Sequence, residues 1–310
     1  MIGLTEFRLS VTQGNLTGWP ANRLRGALGA SLRHIACATK APRCEGCPLL
    51  QTCAYAYCYE TQAVLESKFH GVGQEVPRPY VVRLAPKGAD TPGEVAFELV
   101  LVGRAVDLLP YFLLAVREWQ ADGRGPGRQT ATLQEAIAIQ PLSGERFEVY
   151  SADDATMRVP PWSVGPDDLD SAVQGLPTGR LEVEFLSPTR LKHRGQLLNR
   201  PEFNALVAAL ARRIEAMQQC HDLPAIVDDG RALVKLSEGV ELVEWTGEER
   251  SRHRYSYRQR REMRLEGFIG RAVYEGDLKP FFPLLRIGEL VHVGKGAVLG
   301  LGRYRVATQA

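Results

Sequence analysis

The stretch Phe281-Phe282-Pro283-Leu284-Leu285-Arg286-Ile287-Gly288-Glu289-Leu290, continuing through His292-Val293-Gly294-Lys295-Gly296 to Leu299-Gly300-Leu301-Gly302-Arg303-Tyr304, decides the fold. An earlier segment repeats its plan. That copy reads Leu108-Leu109-Pro110-Tyr111-Phe112-Leu113-Leu114-Ala115-Val116-Arg117-Glu118-Trp119, then Gly123-Arg124-Gly125-Pro126-Gly127-Arg128-Gln129. Each copy joins a Pro-led apolar helix to a glycine-rich loop carrying Lys or Arg, and then to a strand that begins near an Arg. A repeated supersecondary unit predicts two copies of one small α/β domain. Glycines in such a loop let a phosphate backbone approach main-chain N–H groups.

Working outward, the second half restarts with a strand over 180–186, a loop over 187–199 and a helix over 201–219 with Leu206, Leu210 and Ile214 on one stripe. Strands are expected over 240–246, 255–262 and 267–274, before the final helix, loop and strand. The first half offers a strand over 5–12, a helix over 22–36 with Leu24, Leu28, Leu32 and Ile35 on one stripe, and a strand over 95–102. Segments 130–139 and 147–159 are further strand or hairpin candidates. Each half approximates β-α-β-β-α-β, so the predicted class is α+β with two tandem ferredoxin-like domains. Pro160, Pro161, Pro166 and Pro177, with Asp167, Asp168 and Asp170, mark a linker. The boundaries follow as 1–160, a linker over 161–178, and 179–310.

A chain of 310 residues, 45% hydrophobic and 24% charged, fits an ordinary globular protein of one large or two medium domains. No apolar run approaches the roughly eighteen residues of a membrane span, and residues 1–13 show no secretory signal. A cytoplasmic location is the default expectation. The net charge of +2 hides an asymmetry: residues 1–175 hold 16 Lys/Arg against 19 Asp/Glu, and residues 176–310 hold 22 against 17. Seven arginines fall between Arg250 and Arg264: Arg250, Arg252, Arg254, Arg258, Arg260, Arg261 and Arg264. Read as one strand, the stretch puts most of them on one face and His253, Tyr255 and Tyr257 on the other. Guanidiniums at strand spacing can track phosphates, and the rings can stack bases. The alternative is a solvated basic face over packed tyrosines. So many like charges favour an anionic partner, and nucleic acid is the expectation.

Five of the six cysteines lie within 22 residues, as Cys37-x6-Cys44-x2-Cys47-x5-Cys53-x4-Cys58. Away from an oxidising compartment, such clustering points to a metal. Cys44, Cys47 and Cys53 are the expected ligands of a structural zinc, with Cys37 or Cys58 as the fourth. An iron–sulfur cluster would accept the same thiolates, but the spacing matches no standard ferredoxin run. Buried, unligated cysteines are the plain alternative. Four thiolates leave no open position, so no catalytic metal is expected.

Several blocks resemble the C-terminal region of CRISPR precursor-RNA processing endoribonucleases. They are Phe185-Leu186-Ser187-Pro188-Thr189-Arg190-Leu191, Arg212-Arg213-Ile214, Arg254-Tyr255-Ser256-Tyr257-Arg258-Gln259, Gly267-Phe268-Ile269-Gly270 and His292-Val293-Gly294-Lys295, with the ending Gly300-Leu301-Gly302-Arg303-Tyr304. Arg25-Gly26-Ala27-Leu28-Gly29 followed by the cysteines resembles the N-terminal region of one branch. The resemblance places the chain in the RAMP (repeat-associated RNA-binding) superfamily, with two ferredoxin-like domains. It implies metal-independent cleavage of CRISPR transcripts within their repeats, in which a ribose 2′-OH attacks the adjacent phosphate and leaves a 2′,3′-cyclic phosphate and a 5′-OH. The implied partners are the precursor RNA and its guide product, and other CRISPR effector subunits. A non-catalytic RNA-binding subunit on the same fold is the alternative. A zinc-dependent nucleic-acid module would explain the cysteines alone.

Such a reaction needs a base, an acid and a cation. The resemblance suggests a working histidine on or just after the first helix, and His34 matches that position. His292 stands next, two residues before Gly294, with Lys295 as the phosphate cation. Family members also use a tyrosine, for which Tyr257 or Tyr255 is available. The expected RNA contacts are Arg250, Arg252, Arg254, Tyr255, Arg258, Arg260 and Arg261, the loop residues Gly294, Gly296, Gly300, Gly302 and Arg303, and, in the first copy, Arg124 and Arg128. Where the best-known members carry a further histidine after the first helix, this chain has its cysteine segment.

Overall fold

The computed structural model describes residues 2–11, 20–65, 75–85, 94–121, 124–162, 164–174, 176–193, 195–223, 225–256 and 261–307; along 252–256 and 261–265 it describes the backbone alone. In chain order the elements are β1 (Ile2–Val11), α1 (Pro20–Ala36), α2 (Ala54–Tyr59), α3 (Thr61–Leu65), β2 (Tyr80–Leu84), β3 (Glu94–Val102), α4 (Leu109–Arg117), β4 (Ala131–Ile139) and β5 (Arg146–Ser151). The second half adds α5 (Pro166–Ala172), β6 (Arg180–Thr189), β7 (Lys192–His193), β8 (Gln196–Leu197), α6 (Phe203–His221), α7 (Gly230–Leu236), β9 (Glu241–Ser256), β10 (Arg261–Glu275), α8 (Phe282–Val291) and β11 (Tyr304–Ala307). Two compact units result: 1–164 with 219–223, and 165–218 with 224–310.

The first unit is an antiparallel sheet of order β2-β3-β1-β4-β5. Its first four strands, with α1 and α4 as crossovers, have the ferredoxin-like order, and β5 extends the edge beside β4. Phe7 and Phe97 face each other across β1 and β3 and stack at 4.8 Å, fixing the register with the core on one face. Leu24, Leu28 and Leu32 of α1 are fully buried, which is the predicted stripe. The second unit has order β11-β6-β10-β9, again ferredoxin-like, with α6 and α8 as crossovers. The two repeated segments therefore occupy equivalent places, α4 leading to β4 and α8 leading to β11. In both helices Pro sits in the first turn, where its missing N–H costs nothing.

Three expectations about elements change. The arginine stretch is not one strand: β9 ends at Ser256, β10 begins at Arg261, and these two residues pair in an antiparallel ladder. The expected strand over 255–262 is therefore divided between two arms, and a single-face alternation cannot run through Arg250 to Arg264. Polar residues throughout the stretch give no hydrophobic break to mark the reversal. The segment 147–159 shortens to β5 and an isolated bridge from Tyr150 to Met157. The Pro-rich stretch expected to be linker carries α5, with Pro166 in its first turn. No helix among the described residues is long and apolar enough to cross a membrane.

Candidate active site and cysteine pocket

In the first unit His34 lies two residues before the end of α1, with its side chain 54% exposed. Its Nε2 is 3.6 Å from Oε2 of Glu118, in the turn that follows α4. The same carboxylate oxygen accepts from Arg124 Nη1 at 2.7 Å. Lys40 Nζ donates to the His34 carbonyl at 2.7 Å and caps the C-terminal end of α1, where a cation is favoured. The α1–α4 packing thus assembles an accessible imidazole, a carboxylate and a guanidinium from three separate segments. An imidazole so exposed can reach a substrate as general acid or base, with the carboxylate to orient the ring. Glu118 and Lys40 were not singled out by the sequence, where neither has a periodic or motif signal. Arg128 is exposed in the following turn and adopts φ 64°.

His292 is placed differently. It is fully buried, ends α8 at φ 61°, and its Nδ1 donates to the Leu301 carbonyl at 3.0 Å. Its amide donates to Gly288 O at 2.8 Å. The imidazole therefore braces the two ends of the terminal glycine loop. The glycines serve the same closure: Gly294, Gly296, Gly300 and Gly302 all have positive φ. A Cβ on Gly302 would stand 1.8 Å from Val293 O, a contact no substitution can relieve by rotating a side chain. Loop amides are also spent internally. Val293 donates to Gly302 O, Lys295 to Arg190 O, Leu299 and Leu301 to Gly296 O, Gly300 to Ala297 O and Gly302 to Pro188 O. The Arg303 amide donates to Ser187 Oγ at 2.8 Å. The sequence expectation of a loop whose amides cradle phosphate is met at these seven positions by protein acceptors instead. Lys295 itself is exposed.

Arg250, Arg252 and Arg254 hold alternate positions of β9, opposite Gly267, Leu265 and Met263; Tyr255 lies on the same strand and Arg261 opens β10. Arg250 Nε donates to Glu248 at 2.8 Å. Tyr257, Arg258 and Arg260 lie outside the described residues.

The cysteines divide into two groups. Cys37, Cys47 and Cys53 line a pocket of about 140 Å³ at the end of α1. Thr39 Oγ1 lies 3.8 Å from Cys37 Sγ and 3.7 Å from Cys47 Sγ, and its hydrogen bond holds the Cys37 thiol below the ordinary value. Cys44 lies beside them in sequence but not in the pocket lining, in a turn closed by Cys47 N donating to its carbonyl at 3.1 Å. Cys58 stands apart, fully buried in α2, with its thiol pushed up to about 12 by burial. Cys220 is also buried.

Among histidines outside the site, His221 is held at both ring nitrogens: Nε2 donates to Pro77 O at 2.7 Å, which leaves Nδ1 to accept from the Tyr57 hydroxyl at 2.9 Å. It is a structural imidazole of fixed tautomer.

Comparison with known proteins gives a consistent result. Residues 183–304 match the family model for CRISPR-associated endoribonuclease Cas6, and residues 4–161 match a model described as an N-terminal domain. A search of curated proteins found no match. Among solved structures, the Thermus thermophilus Cas6 (TTHB231) product complex has a TM-score of 0.62 at 17% identity, over 99% of this chain and 100% of that one. The Cas6 (TTHA0078) product complex has a TM-score of 0.53 at 19% identity, over 99% and 100%. A Cas6-RT-Cas1–Cas2 complex matches at 0.53 and 11% identity, over 99% of this chain but 29% of that one. At these identities the likeness to each structure is one of fold. Residues 183–304 thus match the family of CRISPR-associated endoribonuclease Cas6, in a chain whose fold is like that of solved Cas6 structures.

Proposed function

We propose that this chain cuts CRISPR precursor RNA within its repeats without a catalytic metal, and that His34 is the proton-transfer group. The ribose 2′-OH upstream of the scissile phosphate loses its proton and attacks phosphorus; the P–O5′ bond breaks. The products are a 2′,3′-cyclic phosphate and a 5′-oxygen that takes up a proton to become the 5′-OH. The observation that carries this reading is the half-exposed imidazole of His34, 3.6 Å from Glu118 and flanked by Arg124, in a chain whose residues 183–304 match an endoribonuclease family model. General acid–base transfer by a positioned imidazole is worth about 10²–10⁴ in rate. Glu118 positions the ring and Arg124 is the cation beside the scissile phosphate, while Lys295 is a cation for the RNA backbone on the second unit. The arms of β9 and β10 supply Arg250, Arg252, Arg254 and Arg261 for backbone contacts. Other CRISPR subunits are the partners to which the product would pass.

The test is cleavage of the cognate repeat RNA in the presence of EDTA, with a 2′-deoxy substrate and His34→Ala as comparisons. Cutting that survives EDTA, stops with the deoxy nucleotide and slows at least a hundredfold in His34→Ala at unchanged RNA affinity is the expected result. Tight binding without cutting by the wild-type chain would assign it to RNA binding alone. A wild-type rate in His34→Ala would remove that residue from the chemistry.

A further inference from the structure

Residues 37–53 make up seventeen consecutive positions with no helix, no strand and no buried side chain. A segment of this kind has no apolar burial to offset the entropy of ordering it. Yet it is folded into successive turns. Cys37 N donates to Arg33 O at 3.0 Å, Leu50 N to Cys47 O at 3.0 Å and Cys53 N to Leu49 O at 3.0 Å. Only six of the seventeen residues are even partly shielded: Ala41, Leu50 and the four cysteines, Cys37, Cys44, Cys47 and Cys53. All four cysteines are partly shielded, while most of their neighbours face water.

We propose that Cys37, Cys44, Cys47 and Cys53 bind one structural zinc ion as a tetrathiolate, and that Cys58 is outside the set. Three of these thiols are walls of the same 140 Å³ pocket, and a shared hydroxyl, Thr39 Oγ1, lies within 3.8 Å of two of them. Cys44 joins through a turn to Cys47, closed by Cys47 N donating to the Cys44 carbonyl at 3.1 Å with Gly46 at φ 72°, so the chain keeps these two cysteines close. Among the described residues no three side chains already stand in a ligand set. Rotation of a cysteine about Cα–Cβ carries its sulfur roughly 3 Å, enough to close such walls on an ion with Zn–S distances of about 2.3 Å. A tetrathiolate would carry negative charge beside Arg33, whose guanidinium already holds the Ala41 and Pro42 carbonyls at 2.7 and 2.8 Å. Cys58 is outside the set because it is fully buried on the helix α2, away from the exposed turns that carry the other four. The ion would anchor the chain immediately after α1, three residues beyond His34, and so fix the helix end that carries it without touching RNA.

The experiment is metal analysis of the full chain, purified without added metal or a histidine tag. One zinc per chain is expected. It should be lost in Cys44→Ser and Cys47→Ser and kept in Cys58→Ala. Because a serine variant can fail to fold, alkylation of the native wild-type chain supplies the second measurement. Cys37, Cys44, Cys47 and Cys53 should be protected together and become reactive together when a strong chelator competes. Zinc well below one per chain, a visible iron–sulfur absorption band, a Cys37–Cys47 disulfide, or independent alkylation of the four thiols would each overturn the proposal. None of these readings depends on RNA cleavage.

Discussion

Replacing His292 by Ala should destabilise the second unit and leave the chemical step of each folded molecule nearly intact. His292 is fully buried, and its Nδ1–H is a donor to the Leu301 carbonyl, itself on a fully buried residue. Truncation leaves that carbonyl without this donor, at about 1–3 kcal/mol for a buried polar group. Removing a buried ring adds a cavity cost of about 2 kcal/mol or more. Alanine at φ 61° gains nothing in return, since that conformation is strained for any residue with a Cβ. A total near 4 kcal/mol corresponds to a melting shift of about 8–16 °C for a unit of this size. His292→Gln, which keeps a donor and most of the volume, should lose less than half of that. His34→Ala is the mirror case: a half-exposed side chain whose loss moves stability by about 0.5 kcal/mol or less, while the rate falls about 10²–10⁴. Calorimetry and single-turnover cleavage at a temperature where all variants are folded separate the two. A His292→Ala protein that melts with wild type but cleaves a hundredfold more slowly would refute the bracing role and put this ring in the chemistry.

Three further outcomes follow from ion pairs and burial. Glu118→Gln should cost at most about fivefold in cleavage rate, because a 3.6 Å pair with 54% and 33% exposed side chains is screened and worth about 1 kcal/mol at most; a loss as large as that of His34→Ala would make Glu118 itself a proton-transfer group. The buried Arg83–Glu98 pair joins β2 to β3, with both side chains under 10% exposed. Glu98→Gln should therefore cost about 3–5 kcal/mol, whereas Arg83→Met with Glu98→Leu should come within about 1 kcal/mol of wild type; equal losses in urea melts of the two proteins would contradict this. The Cys58 thiol, pushed up to about 12 by burial from an ordinary 9.0, keeps its proton in the folded state where the unfolded chain gives it up. Its stabilising contribution is whole below about pH 9 and disappears as pH rises toward 12, with a ceiling of about 4 kcal/mol. Urea midpoints from pH 8 to 10.5 should fall more steeply in wild type than in Cys58→Ala, and parallel curves would sink the assignment.

What the sequence made legible is what short-range chemistry encodes. The Pro-led helices and the loop glycines are visible because a first-turn proline and a positive φ each demand particular residues. That pattern alone located α4 and α8 and, through them, the doubled fold. The leucine stripe of α1 was equally plain. By contrast β2 escaped notice. Its residues 80–83 are buried on both faces, so they lack alternation, and Arg83 within it looks like a surface residue until Glu98 is opposite it. The reversal between β9 and β10 was hidden because a run of arginines keeps its parity whether or not the chain turns. Glu118 reaches His34 only through helix packing, which no spacing along the chain reports.

The same distinction governs how the glycine-rich loop should be understood. Glycine content invites a phosphate cradle, but a cradle needs unspent amides. Here Val293, Lys295, Leu299, Gly300, Leu301, Gly302 and Arg303 donate within the protein. Its glycines are needed because their Cα atoms pass against backbone: a Cβ on Gly294 would stand 2.5 Å from Arg190 O, and one on Gly302 closer still to Val293 O. The loop is therefore a rigid mount, closed from within by His292. On such a mount, RNA affinity falls to side chains that project from it, and Lys295 is exposed there. Lys295→Ala should then weaken RNA binding and reduce its salt dependence by about one counterion, without moving the melting temperature. Gly302→Ala should do the reverse, unfolding the second unit before it alters any contact to phosphate. A Gly302→Ala protein that keeps its melting temperature but loses RNA affinity would restore the cradle and overturn the mount.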